Sequence, residues 1–259
     1  MEIHFSFPIL AGFTVGFLIG LTGMGGGALM TPFLILAMKI NPVIAVGTDL
    51  TFAALTKIFG GIAHRREHNA SFRAVAWMSL GSMPASYLGA RLVLQSSQSS
   101  SAAAGFLPKI LGVVLTIVGV IVLARNTNLL VFKDDMAERW PRPWIFTLIG
   151  ASGGFLVGLT SVGGGTVIMA LLIVFFSIPI NHMVGLDVAH GALLTIVPAI
   201  TYAWGGQTNW PLVGLLLIGS IPGVWIGAHS VNRINHRYVR GVLSILILGG
   251  GIQLLFGGH

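Results

Sequence analysis

A stretch of this chain occurs twice. Residues 16–27 read GFLIGLTGMGGG and residues 154–165 read GFLVGLTSVGGG, an offset of 138 positions. The same offset pairs Asp49 with Asp187, Gly81-Ser82 with Gly219-Ser220, Pro84 with Pro222, and Gly89-Ala90 with Gly227-Ala228. A register held over about seventy residues is an internal duplication, so the fold must be two copies of one unit packed together. Each copy opens on an apolar segment interrupted by glycines, and in a chain this apolar that pattern points to a transporter.

The apolar character excludes an aqueous fold. Of 259 residues, 8% are charged and 54% hydrophobic, with a mean hydropathy of +0.90. A soluble domain carries about 25% charged residues. Long apolar runs recur from end to end, so helices rather than a β-barrel satisfy the backbone in lipid. With no cysteine, disulfides and thiolate metal sites are excluded, and no cofactor or metal is expected. The net charge of +7 lies mainly between apolar segments, where it reports topology rather than nucleic-acid binding. The opening MEIHFSF lacks a basic n-region, so no cleavable signal is expected there.

The apolar segments fall at 7–38 (broken at 22–27), 44–63, 73–94 and 107–124, then at 144–177 (broken at 160–165), 183–204, 211–230 and 237–257. This gives repeat 1 over 1–124, a polar linker over 125–143 and repeat 2 over 144–259, in one membrane domain. Repeat 1 also carries the insertion SSQSSSAAA at 96–104, after which the offset falls to 129 and Gly112 matches Gly241. As one helix, residues 7–38 would measure about 48 Å, against a hydrocarbon core of about 30 Å. The Gly25-Gly26-Gly27 run lets the chain turn, so each broken segment is expected to be a hairpin of two short helices.

Basic residues test that expectation. With hairpins, one side of the membrane holds Lys39, Arg91 and Lys109. The other holds Arg65, Arg66, Arg73, Arg125, Lys133, Arg139, Arg142, Arg233, Arg237 and Arg240. That asymmetry obeys the positive-inside rule, whereas single crossings divide the same residues almost evenly. Hairpins leave three full crossings per repeat, an odd number, so the repeats must be inverted. The expected fold is therefore an all-α polytopic bundle of two inverted repeats, each a glycine-broken hairpin plus three transmembrane helices.

Two features inside the apolar segments carry chemistry. The first is the pair of breaks, Leu21-Thr22-Gly23-Met24-Gly25-Gly26-Gly27 and Leu159-Thr160-Ser161-Val162-Gly163-Gly164-Gly165. A helix beginning after such a break presents unpaired N–H groups and the positive end of its dipole, both suited to anions. Thr22, Thr160 and Ser161 add hydroxyl donors. The expected cradle for a small anion is thus Thr22, Gly25, Gly26, Gly27, Thr160, Ser161, Gly163, Gly164 and Gly165; close helix packing is the plainer use for the glycines.

The second feature is the acid pair Asp49 and Asp187, in GTDL and GLDV. A carboxylate within a membrane segment is a functional flag, although each also lies where it could cap a helix. Proton coupling and support of the cradle are the functional readings. Lys57 either lends positive charge to an anion path or snorkels toward the interface near His64. His190 either relays protons or packs as a neutral, satisfied ring.

Two patterns imitate enzymes. His64-Arg65-Arg66-Glu67-His68 fits a zinc-peptidase signature, but lies in a short loop with no evident third ligand and no counterpart in repeat 2. Gly150-Ala151-Ser152-Gly153 imitates an intramembrane serine protease, yet Ser152 corresponds to Thr14 in repeat 1.

Gly20-Leu21-Thr22-Gly23-Met24-Gly25-Gly26-Gly27, its echo at 158–165 and Gly47-Thr48-Asp49-Leu50 resemble the TauE/SafE family of sulfite exporters and anion permeases. The resemblance covers nearly the whole chain. It implies a multi-pass permease of the cytoplasmic membrane that moves a small, sulfur-containing anion such as sulfite, a sulfonate like sulfoacetate, or thiosulfate. It also implies secondary transport linked to protons. Members often have serine after Gly-Thr, where this chain has Asp49. A passive anion channel and an intramembrane hydrolase are the alternatives.

Overall fold

The computed structural model describes residues 6–22, 27–63, 72–99, 102–126, 142–162, 167–168, 180–230 and 236–256. All regular structure among them is helical: α1 (Ser6–Thr22), α2 (Gly27–Leu36), α3 (Pro42–Ala63), α4 (Phe72–Ser99), α5 (Ala102–Asn126), α6 (Pro143–Thr160), α7 (Ile180–Trp204), α8 (Trp210–Ser230) and α9 (His236–Phe256). Among these residues, Phe106–Ala124, Pro143–Thr160 and Trp210–Ser230 are long and apolar enough to cross a membrane. Shorter apolar helices run over Ser6–Leu21, Ala189–Trp204 and Gly241–Phe256. The protein is a helical membrane protein, as its composition demands.

Local chemistry sets several boundaries. Asn41 precedes Pro42, and its Oδ1 accepts the Val43 amide at 3.0 Å, so asparagine and proline together start α3. Asn209 starts α8 likewise, accepting the Leu212 amide at 3.2 Å. Pro143 opens α6 beside the extended Arg142. That helix stops where Ser161 turns left-handed at φ 62° and its amide closes on the Val157 carbonyl at 2.8 Å.

The helices pair across the duplication. The first helix of each repeat packs on the third long helix of the other: α1 on α8, and α6 on α4. The middle helices α3 and α7 pack together, and so do the last ones, α5 and α9. Exchanging the repeats carries this pattern into itself. The two buried clusters mix the halves accordingly, one joining Leu50 and Met78 to Val157 and Leu194, the other joining Met30, Phe52 and Leu115 to Leu216.

Glycines record how closely these pairs approach and in which direction. A Cβ on Gly16 would lie 2.6 Å from Ser220 Cα, and one on Gly154 would lie 2.6 Å from Ser82 Cα. Gly12, Gly16 and Gly20 face Leu216, Ser220 and Val224 in ascending order, so α1 and α8 run parallel. Gly150, Gly154 and Gly158 meet Met78, Ser82 and Ser86 in the same sense, making α6 and α4 parallel too. Small residues every fourth position let backbones touch where lipid offers no hydrophobic drive to association. The α3–α7 pair is antiparallel, because Gly47 meets Tyr202 and Gln207 while Lys57 meets Gly191. The α5–α9 pair is antiparallel as well, Gly112 meeting Leu255 and Gly119 meeting Leu248.

The first broken segment turns back on itself. Phe7 at the start of α1 and Phe33 near the end of α2 have ring centroids 5.5 Å apart, although 26 positions separate them. The end of α2 therefore lies beside the start of α1. Large apolar side chains such as Leu80, Leu88, Phe106, Ile117, Leu148, Ile218 and Ile245 face outward. That would be anomalous in water and is ordinary against lipid.

Candidate functional site

Polar side chains gather at two levels inside the bundle. The first surrounds Asp49, which is fully buried on α3. Its Oδ2 accepts the Thr31 hydroxyl from α2 and the Ser161 hydroxyl from the end of α6, the latter at 2.9 Å. Its Oδ1 meets no hydrogen-bond donor among the described residues. One carboxylate therefore joins three elements from both repeats. Asp49 does not cap α3, a task done by Asn41.

Neighbouring polar groups hold this arrangement still. Thr160 sits at the end of α6, where its Oγ1 donates to the Leu156 carbonyl at 2.8 Å and accepts the Val162 amide at 3.2 Å. Thr48, beside Asp49, accepts the Asn209 amide at 3.0 Å. Tyr202, buried on α7, donates to the Gly158 carbonyl at 3.1 Å.

The second level lies where α3 and α7 cross. Lys57 Nζ donates to the Gly191 carbonyl at 3.3 Å. The half-buried side chain therefore reaches across to α7. His190, also buried, shares a 2.8 Å hydrogen bond between Nε2 and Ser82 Oγ. Thr56 and Ser220 hydroxyls are 3.2 Å apart. Ser82 and Ser220 are repeat mates, so the two halves meet here with matching serines and different partners. Asp49 lies eight residues before Lys57, about 12 Å back along α3.

The structure thus brings together Asp49, Ser161 and Thr160 at one level, and Lys57 and His190 at the other. For Gly27 it shows the first residue of α2, and for Thr22 and Asp187 a helical backbone. Gly25, Gly26, Gly163, Gly164 and Gly165 lie outside the described residues, as does the His64–His68 pattern. Ser152 is exposed and its hydroxyl donates to the Ile149 carbonyl in its own helix at 2.9 Å, while His190 is bonded to Ser82 instead. Thr31, Ser82, Thr56 and Ser220 were not singled out by their residue types. The repeat of Gly-Ser at 81–82 and 219–220 was the available signal, and it was visible only as a mark of duplication.

A bundle of duplicated helices with a buried carboxylate at a helix break suits transport, and comparison with known proteins agrees. The sequence model described as "Sulfite exporter TauE/SafE" matches residues 8–254. The chain belongs to the TauE/SafE family. Among curated TauE/SafE-like relatives, the probable membrane transporter YjnA of Bacillus subtilis is 36% identical over 95% of this chain and 98% of its own. The probable membrane transporter MJ0441 of Methanocaldococcus jannaschii is 27% identical over 96% of this chain and 93% of its own. YunE of Bacillus subtilis is 24% identical over 99% of both. No solved structure matches the chain. Family and relatives make this TauE/SafE protein a membrane transporter and not an enzyme, and the family implies a small anionic substrate.

Proposed function

We propose that the protein carries a small sulfur oxyanion or sulfonate, such as sulfite, thiosulfate or sulfoacetate, across the cytoplasmic membrane by secondary transport. Two inverted repeats rock around a central site to give alternating access. The cradle is formed by Thr22, Gly25, Gly26 and Gly27 in one break and by Thr160, Ser161, Gly163, Gly164 and Gly165 in the other.

One observation carries this reading. α2 has ten residues, about 15 Å or half the hydrocarbon thickness. Its far end lies level with the start of α1, so its first residue, Gly27, falls near mid-depth. A helix N-terminus held there offers unpaired N–H groups and a positive dipole end in a low-dielectric interior. Oxyanions, which need several hydrogen bonds and little counter-charge, suit such a site.

The antiparallel pairing of repeat mates supports inversion. A two-fold axis that maps α3 on α7 and α5 on α9 while reversing their direction lies across the helices, hence in the membrane plane. The charges support orientation: Arg73 and Arg142 share the face where α4 and α6 begin, and Lys39 lies at the opposite one, in the α2–α3 turn. The arginine-bearing face is then cytoplasmic.

The test is a thermal-shift panel on purified protein in detergent, read by tryptophan fluorescence, together with uptake into proteoliposomes. Sulfite, thiosulfate or sulfoacetate is expected to stabilise the protein more than sulfate, taurine, acetate or chloride. Gly26→Leu and Gly164→Leu should express normally yet lose stabilisation and uptake. Normal uptake by both variants would refute the cradle.

A further inference from the structure

Lys57 stands at the depth where the substrate cradle is placed. We propose that its ammonium is the counter-charge of the transported oxyanion: on binding, it leaves the Gly191 carbonyl and bonds the anion held at the N-terminus of α2. Gly191 gives the ammonium its resting place beside α7. The inference rests on the anion-transport reading above and adds to it the residue that supplies positive charge.

Two separate contacts set the depth of Lys57. The first is its own. Lys57 Nζ meets Gly191, and the offset of 138 maps this pair of positions onto Thr195 and Ala53. In the antiparallel α3–α7 pair, the point of α3 that maps onto its own partner therefore lies midway between residues 53 and 57, at Leu55. The two-fold axis of an inverted pair passes there, at mid-depth, and Lys57 is about 3 Å from it along α3. The second contact is Thr31 on Asp49. The turn over residues 37–41 is short and folds α3 back beside α2. Gly27 precedes Thr31 by four residues and Ala53 follows Asp49 by four. The N-terminus of α2 is thus level with Ala53, about 6 Å short of Lys57.

On α3 the cradle is flanked by a carboxylate one turn to one side and by an ammonium one turn to the other. Asp49 alone would repel an anion, and Lys57 offsets that repulsion. The contact Lys57 makes with α7 is one that an oxyanion can replace. Nζ donates at 3.3 Å to a carbonyl that also accepts the Thr195 hydroxyl at 2.9 Å. An oxyanion offers a full opposite charge in place of a shared dipole. The room for the ammonium is built in. A Cβ on Gly191 would lie 2.7 Å from Lys57 Nζ and 3.5 Å from its Cε, and its three nearest atoms all belong to that lysine. Glycine at 191 therefore accommodates a side chain, whereas Gly16 and Gly154 admit facing backbone.

The charge belongs to one repeat. The repeat mate of Lys57 is Thr195, whose hydroxyl turns back to Gly191. A substrate bound on the axis meets both halves of the protein but needs one counter-charge, and a single lysine near the axis supplies it. A lysine inside a membrane segment is costly and marks a substrate or ion path. Its ammonium is a compact point charge, so it selects by charge more than by shape. Sulfite, thiosulfate and sulfoacetate are attracted by it. Taurine, a sulfonate that carries its own ammonium, is opposed.

The experiment titrates sulfite, thiosulfate and sulfoacetate against purified full-length protein by thermal shift, and measures KM for uptake of 35S-thiosulfate and 35S-sulfite into proteoliposomes. Lys57→Met and Gly191→Ala, singly and together, are compared with the wild type. Without anion, Lys57→Met is expected to melt no lower than the wild type, since it removes a charge from a membrane segment. It should nonetheless lose at least tenfold in anion affinity and raise KM as much, as expected when a hydrogen bond to a charged group is lost. Lys57→Arg should recover part of that loss. Gly191→Ala is expected to act in the opposite sense. It crowds the ammonium only in its resting place, so unliganded Tm falls and anion affinity rises. In the double variant that rise should vanish. If Lys57→Met binds and transports with wild-type affinity, or loses only unliganded stability, the proposal is overturned and the cradle stands without it. If Lys57→Met does not fold, Gly191→Ala decides: a rise in affinity supports the proposal, and unchanged or weakened affinity overturns it. If no anion stabilises or enters with the wild type, anion transport itself fails and this inference with it.

Discussion

Adding one methyl group at Gly16 or Gly154 tests the packing on which every later step depends. A Cβ at either position would lie 2.6 Å from a serine Cα on the facing helix, Ser220 for Gly16 and Ser82 for Gly154. Ordinary contact is nearer 3.5–4 Å, so the parallel pair must separate by about 1 Å. Backbone rather than a flexible side chain blocks the way, so relaxation is poor, and overpacking of this kind costs about 1–3 kcal/mol. For a chain of this size each kcal/mol corresponds to about 2–4 °C in Tm. Gly16→Ala and Gly154→Ala are each expected to lower Tm by about 2–12 °C. Gly214 and Gly249, which have open space around them, are the controls. Gly214→Ala and Gly249→Ala should leave Tm unchanged or raise it, since alanine favours helix. With no cysteine in the chain, thiol-reactive dyes do not report unfolding, so tryptophan fluorescence or size-exclusion after heating is the assay. Equal Tm changes at all four positions would refute the argument, because helix propensity and not interhelical contact would then set the response.

Tyr202→Phe removes one buried hydrogen bond, to the Gly158 carbonyl at 3.1 Å, and should cost about 1 kcal/mol in the same melt. Ser82→Ala strips His190 Nε2 of its 2.8 Å partner and should cost about 1–3 kcal/mol, because the imidazole stays buried; Ser220→Ala, whose partner is a hydroxyl, should cost less. Gly206 adopts φ +69° in the turn between α7 and α8, with open space where a Cβ would stand. Gly206→Ala should therefore lower stability by about 1 kcal/mol through backbone strain alone.

The sequence by itself determined the class, the duplication and the two breaks. Those are properties of composition and of order along the chain: too few charges for a wet surface, apolar runs of spanning length, and Thr followed by glycines twice at a constant offset. The hairpin was legible as well, since 7–38 is too long for one crossing and the glycines supply the turn. Asp49 stood out because a carboxylate in an apolar run has an energetic cost that calls for a reason.

Only the tertiary structure decided what that carboxylate touches. Thr31 is 18 residues from Asp49 and Ser161 is 112 away, and no local spacing relates positions brought together by the docking of two repeats. The same holds for Lys57: its own helix allowed it to snorkel, and a carbonyl on α7 drew it across instead. His190 and Ser82, 108 residues apart, met for the same reason. Periodicity reports the faces a helix has. Which face meets which depends on contacts such as Gly16 on Ser220 and Gly154 on Ser82, made between backbones that the chain order keeps far apart.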